Sequence, residues 1–186
     1  MSPILSCCSL SCHPITFPLL SLAYRVTVVG NVHLESLNFA ETRKNQLQIC
    51  ERIMRNYTNA LVVGDFNFDA TKAWGEWNNS APQKPEPSRL ENRVLEEVLP
   101  GWIDAWPAVK GFSDMGYTFD GATNLTCVQD RGEQMRYDRI MVKGTEFACS
   151  SIEMLGQRAI NESGLKPSDH YGLFVKLKHV DASKKL

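Results

Sequence analysis

The chain has 186 residues, of which 43% are hydrophobic and 22% are charged. This composition fits one soluble globular domain and argues against a wholly disordered chain or a protein with many membrane spans. The 20 basic and 21 acidic residues leave a net charge of −1. Non-specific nucleic-acid binders usually carry a strong basic excess, so that class is disfavoured, whereas an enzyme that grips a few phosphates locally is not.

The six cysteines do not form a recognisable metal motif. Cys8 and Cys12 with His13 could begin a metal cluster, but no second ligand pair follows them. We interpret all six as reduced thiols of an intracellular protein. They are Cys7, Cys8, Cys12, Cys50, Cys127 and Cys149.

Residues 1–24 contain no Lys, Arg, Asp or Glu. A secretory signal peptide needs a positive segment before its apolar stretch, and none is present here. Pro3, Pro14 and Pro18 also interrupt the run, which makes a spanning helix poor. We therefore expect residues 1–23 to be foreign to the fold, as a disordered or aberrant leader, with a targeting signal as the second interpretation.

The first half of the chain is predicted to form a strand, a helix and a second strand. Residues 24–34 are a β-branched apolar run, which is typical of a strand buried on both faces. Asn38 with Glu41 resembles a capping box, and apolar residues at helical spacing predict a helix over about residues 39–57. Residues 60–64 then form a short buried strand.

The second half is predicted to contain a long loop, a short helix and a series of strands. Residues 74–88 are rich in Asn, Pro, Ser and Gln, which is typical of a loop. Ser88 with Glu91 resembles a second capping box, and the helix that it opens ends at Pro100-Gly101. Further strands are predicted over residues 103–106, near 117–119, and over 137–142, 147–155 and 171–177. The polar tail after His179 is expected to fray.

Polar side chains stand at or beside the ends of these apolar strands. A carboxylate buried in a dry core is costly unless it is paired or binds a metal. Polar groups from several strand ends can instead converge on one open rim, where ligands commonly bind in layered α/β folds. The candidates are His33, Asp65, Asn67, Asp138, Asp169 and His170.

The segment Gly64-Asp65-Phe66-Asn67 is the strongest single signal. The carboxylate of Asp65 can hold or deprotonate a water molecule, and the amide of Asn67 can hydrogen-bond a phosphate oxygen. The alternative is an Asx turn that simply closes the strand, because Asp and Asn commonly form such turns. Taken alone, the two interpretations are about equal.

Two further segments could supply an oriented histidine. In the functional interpretation, Asp138 accepts a proton from His170, which fixes its tautomer and favours its charged form. Taken alone, a turn aspartate with a solvated histidine stands ahead for Ser168-Asp169-His170, and a surface ion-pair cluster stands ahead for Arg136-Tyr137-Asp138-Arg139. Likewise, His33 alone is more often a structural histidine.

The motifs taken together, and in this order, resemble the endonuclease/exonuclease/phosphatase superfamily. The likeness covers residues 24–177 and is greatest to the tyrosyl-DNA phosphodiesterases. It rests on His33-Leu34-Glu35-Ser36, Arg43 with Asn45-Gln46-Leu47, Gly64-Asp65-Phe66-Asn67, Ile103-Asp104-Ala105-Trp106, Tyr117-Thr118-Phe119-Asp120, Arg136-Tyr137-Asp138-Arg139-Ile140, Leu155-Gly156 and Pro167-Ser168-Asp169-His170-Tyr171-Gly172-Leu173. The resemblance implies an α/β fold, a four-layer α/β/β/α sandwich of the deoxyribonuclease I-like type with its site at one rim.

The resemblance also implies a role for each candidate. The residue at Asp65 activates water, Asn67 holds the phosphate, and His170 stabilises the transition-state charge. Asp138 orients this histidine, Asp169 lies near the metal, and the residue at His33 contacts the scissile phosphate. One Mg²⁺ or Mn²⁺, bound by Asp169 and Asp65, would neutralise developing charge on phosphate oxygens.

For the tyrosyl-DNA phosphodiesterases the implied substrate is a DNA 5′ end that carries a tyrosyl adduct, in DNA repair. Phe119 stands where that family has a tryptophan and keeps a stacking surface. Arg43 is expected to contact phosphate, and Ser168 to lie in the substrate-binding loop. Phe68-Asp69 departs from the family's Leu-Arg, so one phosphate-binding charge is missing or replaced by an acid.

The front of the chain is the larger departure from the family. The first strands of the family carry an Asn in a Trp-Asn motif and the principal metal-binding Glu, but residues 1–23 contain neither Asn nor Glu. We therefore expect a partial domain at residues 24–178, a polar tail at 179–186, and weak or no turnover. The alternatives are a sphingomyelinase-like or phosphoinositide-directed enzyme, or a non-catalytic binding module. A nuclear or cytoplasmic location, without membrane partners, is expected.

Overall fold

Eleven strands, three α-helices and one short 3-10 helix make up the part of the chain that the structure describes. The structure is a computed structural model, and it describes residues 6–10, 13–17, 19–22, 25–72, 90–127, 132–144 and 146–180. The elements are β1 (Ser6–Leu10), β2 (His13–Phe17), β3 (Leu19–Leu22), β4 (Arg25–His33), α1 (Ala40–Met54), β5 (Asn59–Asp65), the 3-10 helix (Glu91–Arg93), α2 (Val94–Val98), β6 (Ile103–Asp104), α3 (Ala105–Lys110), β7 (Phe119–Asp120), β8 (Gln134–Met135), β9 (Asp138–Lys143), β10 (Phe147–Leu155) and β11 (Gly172–His179). The predicted mixed α/β class is confirmed, and the four-layer arrangement stays a prediction.

The main sheet contains seven strands among the described residues. Its order is β1-β2-β4-β5-β9-β6, and β3 pairs with β4 outside this path. β4 and β5 run parallel, so their connection must cross over, and α1 supplies that crossover. β9 lies antiparallel to both β5 and β6. Two smaller sheets pair β10 with β11 and β7 with β8.

Helix α1 covers one face of the main sheet. Alternate residues of β4 and β5 point to this face, because successive side chains of a strand project to opposite sides. The apolar stripe of α1 packs against them, together with α2. The residues in this contact include Val28, Val32, Ala60 and Val62 from the strands, Leu47, Cys50 and Met54 from α1, and Leu95 and Val98 from α2.

The opposite face of the main sheet packs against the small β10–β11 sheet and α3. The alternation of apolar residues along β10 and β11 supplies the contacting side chains. The cluster includes Leu61, Ile140 and Val142 from the main sheet, Ala105 and Trp106 from α3, and Ile152, Leu173, Val175 and Leu177 from the small sheet. This second face continues to the strand ends where the polar candidates lie.

Two details of the predicted elements are corrected. The capping box at Asn38 does not form, since α1 begins after Phe39 and no side chain bonds its first turn. The strand predicted over residues 103–106 is only two residues long and gives way to α3 at Ala105. The carboxylate of Asp104 accepts a hydrogen bond from the backbone N–H of Trp106 at 3.2 Å, which starts the helix instead. The predicted loop over residues 74–88 and the capping residue Ser88 lie outside the described residues.

Three of the strands lie within residues 1–23, where a leader without family features is expected. β1 pairs with β2, and β2 and β3 both pair with β4. The division of the chain into leader, domain and tail stays a prediction. None of the helices in the described ranges has the length and apolar character needed to span a bilayer.

Arg43 joins α1 to the 3-10 helix. Its side chain is 1% exposed, and its guanidinium donates to both carboxylate oxygens of Glu91 at 2.5 and 2.6 Å. The same group also donates to the carbonyls of Glu35 and Leu37 at 2.8 and 2.7 Å. A buried, bidentate arginine of this kind stabilises the fold only while its partners remain.

We expect Arg43→Ala to lower the free energy of unfolding by about 3–5 kcal/mol, because it leaves Glu91 and two carbonyl groups without their donor. Urea denaturation measures this loss. Lys44→Ala is the matched control, since the neighbouring Lys44 pairs with Glu97 at 2.8 Å on the exposed side of the same helix. Equal losses in the two variants would contradict the structural role of Arg43.

Candidate active site

Three strand ends bring His33, Asp65 and Asp138 side by side. In the sheet register His33 pairs with Asp65 across β4 and β5, and Asp65 pairs with Asp138 across β5 and β9. All three side chains fall on the face that carries Ile140 and Val142, by strand alternation. The Nε2 of His33 lies 3.5 Å from the Oδ2 of Asp65. The predicted convergence of polar strand ends is therefore present for these three residues.

Gly64 permits this close arrangement of β4 and β5. Its φ is +122°, a conformation that residues with a side chain rarely adopt. A Cβ at this position would stand 2.0 Å from the carbonyl oxygen of Val32. The glycine before Asp65 is therefore required by the approach of the two strands.

His170 lies in the loop that precedes β11 and extends this line of side chains, so that His33, Asp65, Asp138 and His170 form one row. Its Nδ1 lies 2.7 Å from the Oδ2 of Asp138, which is a strong hydrogen bond. Its backbone forms an isolated bridge with Phe119. Solvent reaches about a quarter of the His170 side chain, at 26%, so a ligand can approach the ring. The predicted pairing of Asp138 with His170 is observed.

The electrostatic surroundings raise the pKa of His170. Burial by itself lowers this pKa, but the hydrogen bond and the negative charge of Asp138 outweigh burial. Asp65 and Asp169 add to the effect. The ring consequently holds its second proton to higher pH than an ordinary histidine, which favours the imidazolium form beside the rim.

The pKa of Asp65 is also raised, because two effects disfavour its charged form. Burial raises its pKa first, and the nearby negative charge of Asp138 raises it further. The charge of His170, the N–H of Asn67 and the charge of His33 oppose this shift without cancelling it. A carboxylate with a raised pKa is a better proton acceptor near neutral pH than an ordinary aspartate.

Asn67 closes the strand through the Asx turn that was the alternative for this segment. Its backbone N–H donates to the Oδ1 of Asp65 at 2.7 Å, and its own φ is +55°. The side-chain amide donates one hydrogen bond to the carbonyl of Leu34 at 2.8 Å. The turn and the cluster therefore coexist, because the turn holds the Asp65 carboxylate in place.

Aromatic rings flank His170. The ring centres of Phe119 and His170 are 5.2 Å apart in an edge-to-face arrangement, and Tyr137 stacks on His170 at 6.2 Å. Tyr137 is itself held by a short hydrogen bond to Glu133. These contacts fix the plane of the imidazole and leave Phe119 as an aromatic wall beside it.

Ser168 and Asp169 form the exposed part of the same loop. The Ser168 hydroxyl donates to the Oδ1 of Asp169 at 3.1 Å and accepts from the N–H of His170 at 3.1 Å. Both residues are therefore next to the histidine and open to solvent. The substrate role of Ser168 and the metal role of Asp169 stay predictions.

Arg43 does not reach the rim, and its predicted phosphate contact is therefore corrected. Its guanidinium is buried and donates to Glu91 and to backbone carbonyls. Arg136 and Arg139 are also buried, at 4% and 1% exposed, and both contact Asp104. The surface ion-pair alternative for these two arginines is therefore wrong. Sequence alone does not distinguish a buried arginine from a surface one.

In the sequence, Asp69 stands where the family has a phosphate-binding charge. In the structure, its carboxylate holds two segments of backbone together. Its carboxylate is buried and accepts hydrogen bonds from the N–H groups of Arg136, Thr71 and Lys72 at 2.7, 3.0 and 3.0 Å. It therefore fastens the segment after β5 to the segment before β9. The Asp-x-Thr-Lys spacing is compatible with such a turn, and this signal was available in the sequence.

The residues present do not by themselves form a complete metal site. Within the described part of the chain, no group of three or more His, Cys, Asp or Glu side chains could hold a metal ion. Asp65 and Asp169 would offer oxygen ligands of the kind that Mg²⁺ prefers, but two carboxylates leave most of its coordination to water and substrate.

The fold is that of the endonuclease/exonuclease/phosphatase proteins, although neither a family model nor a curated protein sequence matches the chain. D. rerio TDP2 complexed with single-strand DNA product matches with a TM-score of 0.68 and 16% identity, over 96% of this chain and 67% of that chain. An endonuclease/exonuclease/phosphatase family protein from Leptotrichia buccalis matches with a TM-score of 0.59 and 18% identity, over 89% and 54%. A mannosyl-6-phosphatase from Bacteroides thetaiotaomicron matches with a TM-score of 0.56 and 17% identity, over 89% and 57%.

The chain spans only part of the proteins that it matches. It covers 60% of a humanised D. rerio TDP2 and 63% of a truncated Caenorhabditis elegans TDP2. Identities of 16–20% across these TDP2 structures support a common fold. A shared fold does not determine the reaction or the substrate, which depend on the residues of the site.

The His170–Asp138 pair should make stability depend on pH. Because the folded-state pKa of His170 is raised, its stabilisation is fully present below its ordinary value of 6.5 and is lost as pH rises through the raised value. We expect His170→Gln to cost about 1 kcal/mol at mildly acidic pH and less at alkaline pH. Urea denaturation at the two pH values measures this. In an Asp138→Asn background the pH-dependent difference should shrink or change sign, because burial then acts against Asp65 and Asp169 alone, and a difference of unchanged size would contradict the pairing.

Proposed function

We propose that this chain carries the phosphate-cleaving rim of a phosphodiester hydrolase. The observation that carries the proposal is the 2.7 Å bond from His170 to Asp138 beside the Asp65–His33 contact. In this row His170 has a raised pKa and so a greater tendency to carry a positive charge, and Asp65 has a raised pKa and so a greater tendency to accept a proton. Hydrolysis of a phosphate ester uses both properties.

In the proposed reaction Asp65 holds the attacking water and takes its proton. The water oxygen forms a bond to phosphorus as the bond from phosphorus to the leaving oxygen breaks. His170, kept charged and oriented by Asp138, stabilises the negative charge that develops on the phosphoryl oxygens. His33 contacts the phosphate from the other side of Asp65, and the second N–H of the Asn67 amide is available to a phosphate oxygen.

The proposed substrate is a DNA 5′ end that carries a tyrosyl adduct, as in DNA repair by a nuclear or cytoplasmic enzyme. Two observations support it. The fold matches TDP2 from D. rerio, whose structure holds a single-strand DNA product. Phe119 stands beside His170 at 5.2 Å and offers an aromatic surface on which a base can stack. Mg²⁺ or Mn²⁺ is proposed as the cofactor, with Asp65 and Asp169 as its protein ligands.

A different phosphate ester is the second candidate. The fold also matches a mannosyl-6-phosphatase, so the same scaffold serves a sugar phosphate in that protein. Parallel assays with a 5′-tyrosyl oligonucleotide, sphingomyelin, a phosphoinositide and mannose 6-phosphate distinguish these substrates.

A binding module without turnover is the third candidate. Calorimetric titration with MgCl₂ bears on it, because an absence of binding at millimolar metal favours the module.

The test is hydrolysis of a 5′-tyrosyl oligonucleotide under single-turnover conditions, with protein in excess so that slow cleavage is visible. We expect weak cleavage that falls about 10²- to 10³-fold in Asp65→Asn and in His170→Gln, because each removes a group that acts in the transition state. His179→Gln is the matched control, since His179 lies exposed at the far end of β11. Equal rates in all four proteins, or no cleavage at all, would overturn the proposal.

A further inference from the structure

Two fully buried polar residues lie next to the catalytic row without belonging to it. Thr118 and Asn124 are both 0% exposed. Thr118 lies just before β7 and belongs to a motif that the proposed reaction leaves without a role. Asn124 lies in the turn that follows β7. Buried polar side chains must have their hydrogen bonds satisfied, so their partners reveal what they hold.

Thr118 holds the backbone on both sides of the His–Asp pair. Its hydroxyl oxygen accepts a hydrogen bond from the N–H of Asp138 at 2.9 Å. Its carbonyl oxygen accepts one from the N–H of Tyr171 at 2.7 Å, one residue after His170. One residue therefore fixes the distance between β9 and the loop before β11, and the 2.7 Å bond depends on that distance.

Asn124 holds the other end of the histidine loop. Its amide nitrogen donates to the carbonyls of Ser168 and Asp169 at 2.9 and 3.1 Å, so both of its N–H groups are used. Its amide oxygen accepts from the N–H of Thr126 at 3.0 Å. The backbone N–H of Asn124 donates to the carbonyl of Asp120 at 2.8 Å, which ties the turn to β7.

These contacts come from one short segment and act on two separate elements. Asp138 belongs to the main sheet, whereas His170 lies in a loop that leads into the small sheet. In addition to the hydrogen bond between His170 and Asp138, the segment over residues 118–124 makes polar contacts with the backbone on the Asp138 side and with the backbone on the His170 side. Misplacing a catalytic group by about 1 Å can cost roughly 100-fold in rate, so such contacts matter to catalysis as well as to folding.

We propose that Thr118 and Asn124 are positioning residues that hold His170 against Asp138, and we name the two residues the 118–124 clamp. Its effect on rate rests on the proposed function, whereas its effect on the geometry of His170 does not. Both residues are fully buried, so neither is open to a phosphate bound at the rim. The clamp acts by setting the place of the imidazole and the backbone of its carboxylate partner.

The first test removes the Thr118 hydroxyl and keeps the shape, with Thr118→Val. The readout is the NMR signal of the His170 ring protons, because Phe119 at 5.2 Å and Tyr137 at 6.2 Å shift these signals by their ring currents. The chain has four histidines, and His170→Gln identifies the signal. We expect the signal to move toward that of an unstructured histidine in Thr118→Val and to return in Thr118→Ser.

Thr27→Val is the matched control for this variant. Thr27 is also a buried threonine, at 5% exposed, but its hydroxyl has no hydrogen-bond partner among the residues that the structure describes. Its replacement removes the same atoms without breaking a contact to the site. We expect the His170 signal to stay unchanged in Thr27→Val. An equal shift in Thr27→Val, or no shift in Thr118→Val, would overturn the clamp.

The second test removes the Asn124 amide, with Asn124→Ala, and compares it with Asn59→Ala. Asn59 is equally buried, at 1% exposed, but donates to Glu146 far from the row. Both variants are expected to lose stability, and only Asn124→Ala should move the His170 signal. Where cleavage is measurable, kcat should fall about 10- to 100-fold in the clamp variants with KM within about threefold. A KM rise at constant kcat would contradict a positioning role.

The two proposals fail separately in these experiments. If the chain does not hydrolyse phosphodiesters, the proposed function fails, and the His170 signal still decides whether the clamp holds the ring. If hydrolysis is present and depends on Asp65, but the signal and kcat of Thr118→Val match those of the unaltered chain, the clamp alone is wrong.

Discussion

The 2.7 Å bond between His170 and Asp138 is the interaction on which the site depends, because it joins the main sheet to the loop before β11, and no strand pairing among the described residues links the main sheet to the β10–β11 sheet. Asp138 begins β9, in the middle of the main sheet, and the pairing of that strand determines its position. His170 comes from the loop before β11. The packing of the small sheet on the main sheet decides whether the two side chains meet.

Charge in the row is balanced between neighbours. Asp65 and Asp138 stand opposite each other in the register, so the negative charge of Asp138 disfavours the charged form of Asp65. The pKa of Asp65 is raised by burial and by Asp138, while Asp138, Asp65 and Asp169 raise the pKa of His170 against the effect of burial. When His170 is protonated, its positive charge offsets part of the negative charge that the sheet register places beside it. Acid and base properties follow from the same crowding.

Buried arginines organise the surroundings of the site. Arg43 binds Glu91, whereas Arg136 and Arg139 share Asp104. Each pair connects segments that are far apart in the chain, and each would be costly to break because the remaining charge would stay buried. Asp69 adds a further connection, from the end of β5 to Arg136. The polar residues of this chain therefore divide between fastening the fold and lining the rim.

The main helix, the longer strands from β4 onward and several candidate residues of the rim were predictable from the amino-acid sequence, whereas β1, β2 and β3 were not. Apolar runs and their alternation marked β4, β5, β9, β10 and β11, because burial imposes a period on side chains that is visible in one dimension. Motif order pointed to the superfamily fold, and strand ends pointed to Asp65, Asp138 and His170.

Which polar residues face the rim and which lie buried beneath it could be read only from the three-dimensional packing. Arg43 is of a residue type that commonly binds phosphate, yet it lies inside the fold. Nothing in the sequence indicated that Thr118 and Asn124 would be buried beside the site. The physical reason is that hydrogen-bond partners separated by tens of residues are chosen by three-dimensional packing. In Asn124 the two acceptors lie 44 and 45 residues further along the chain, a distance over which sequence periodicity carries no information.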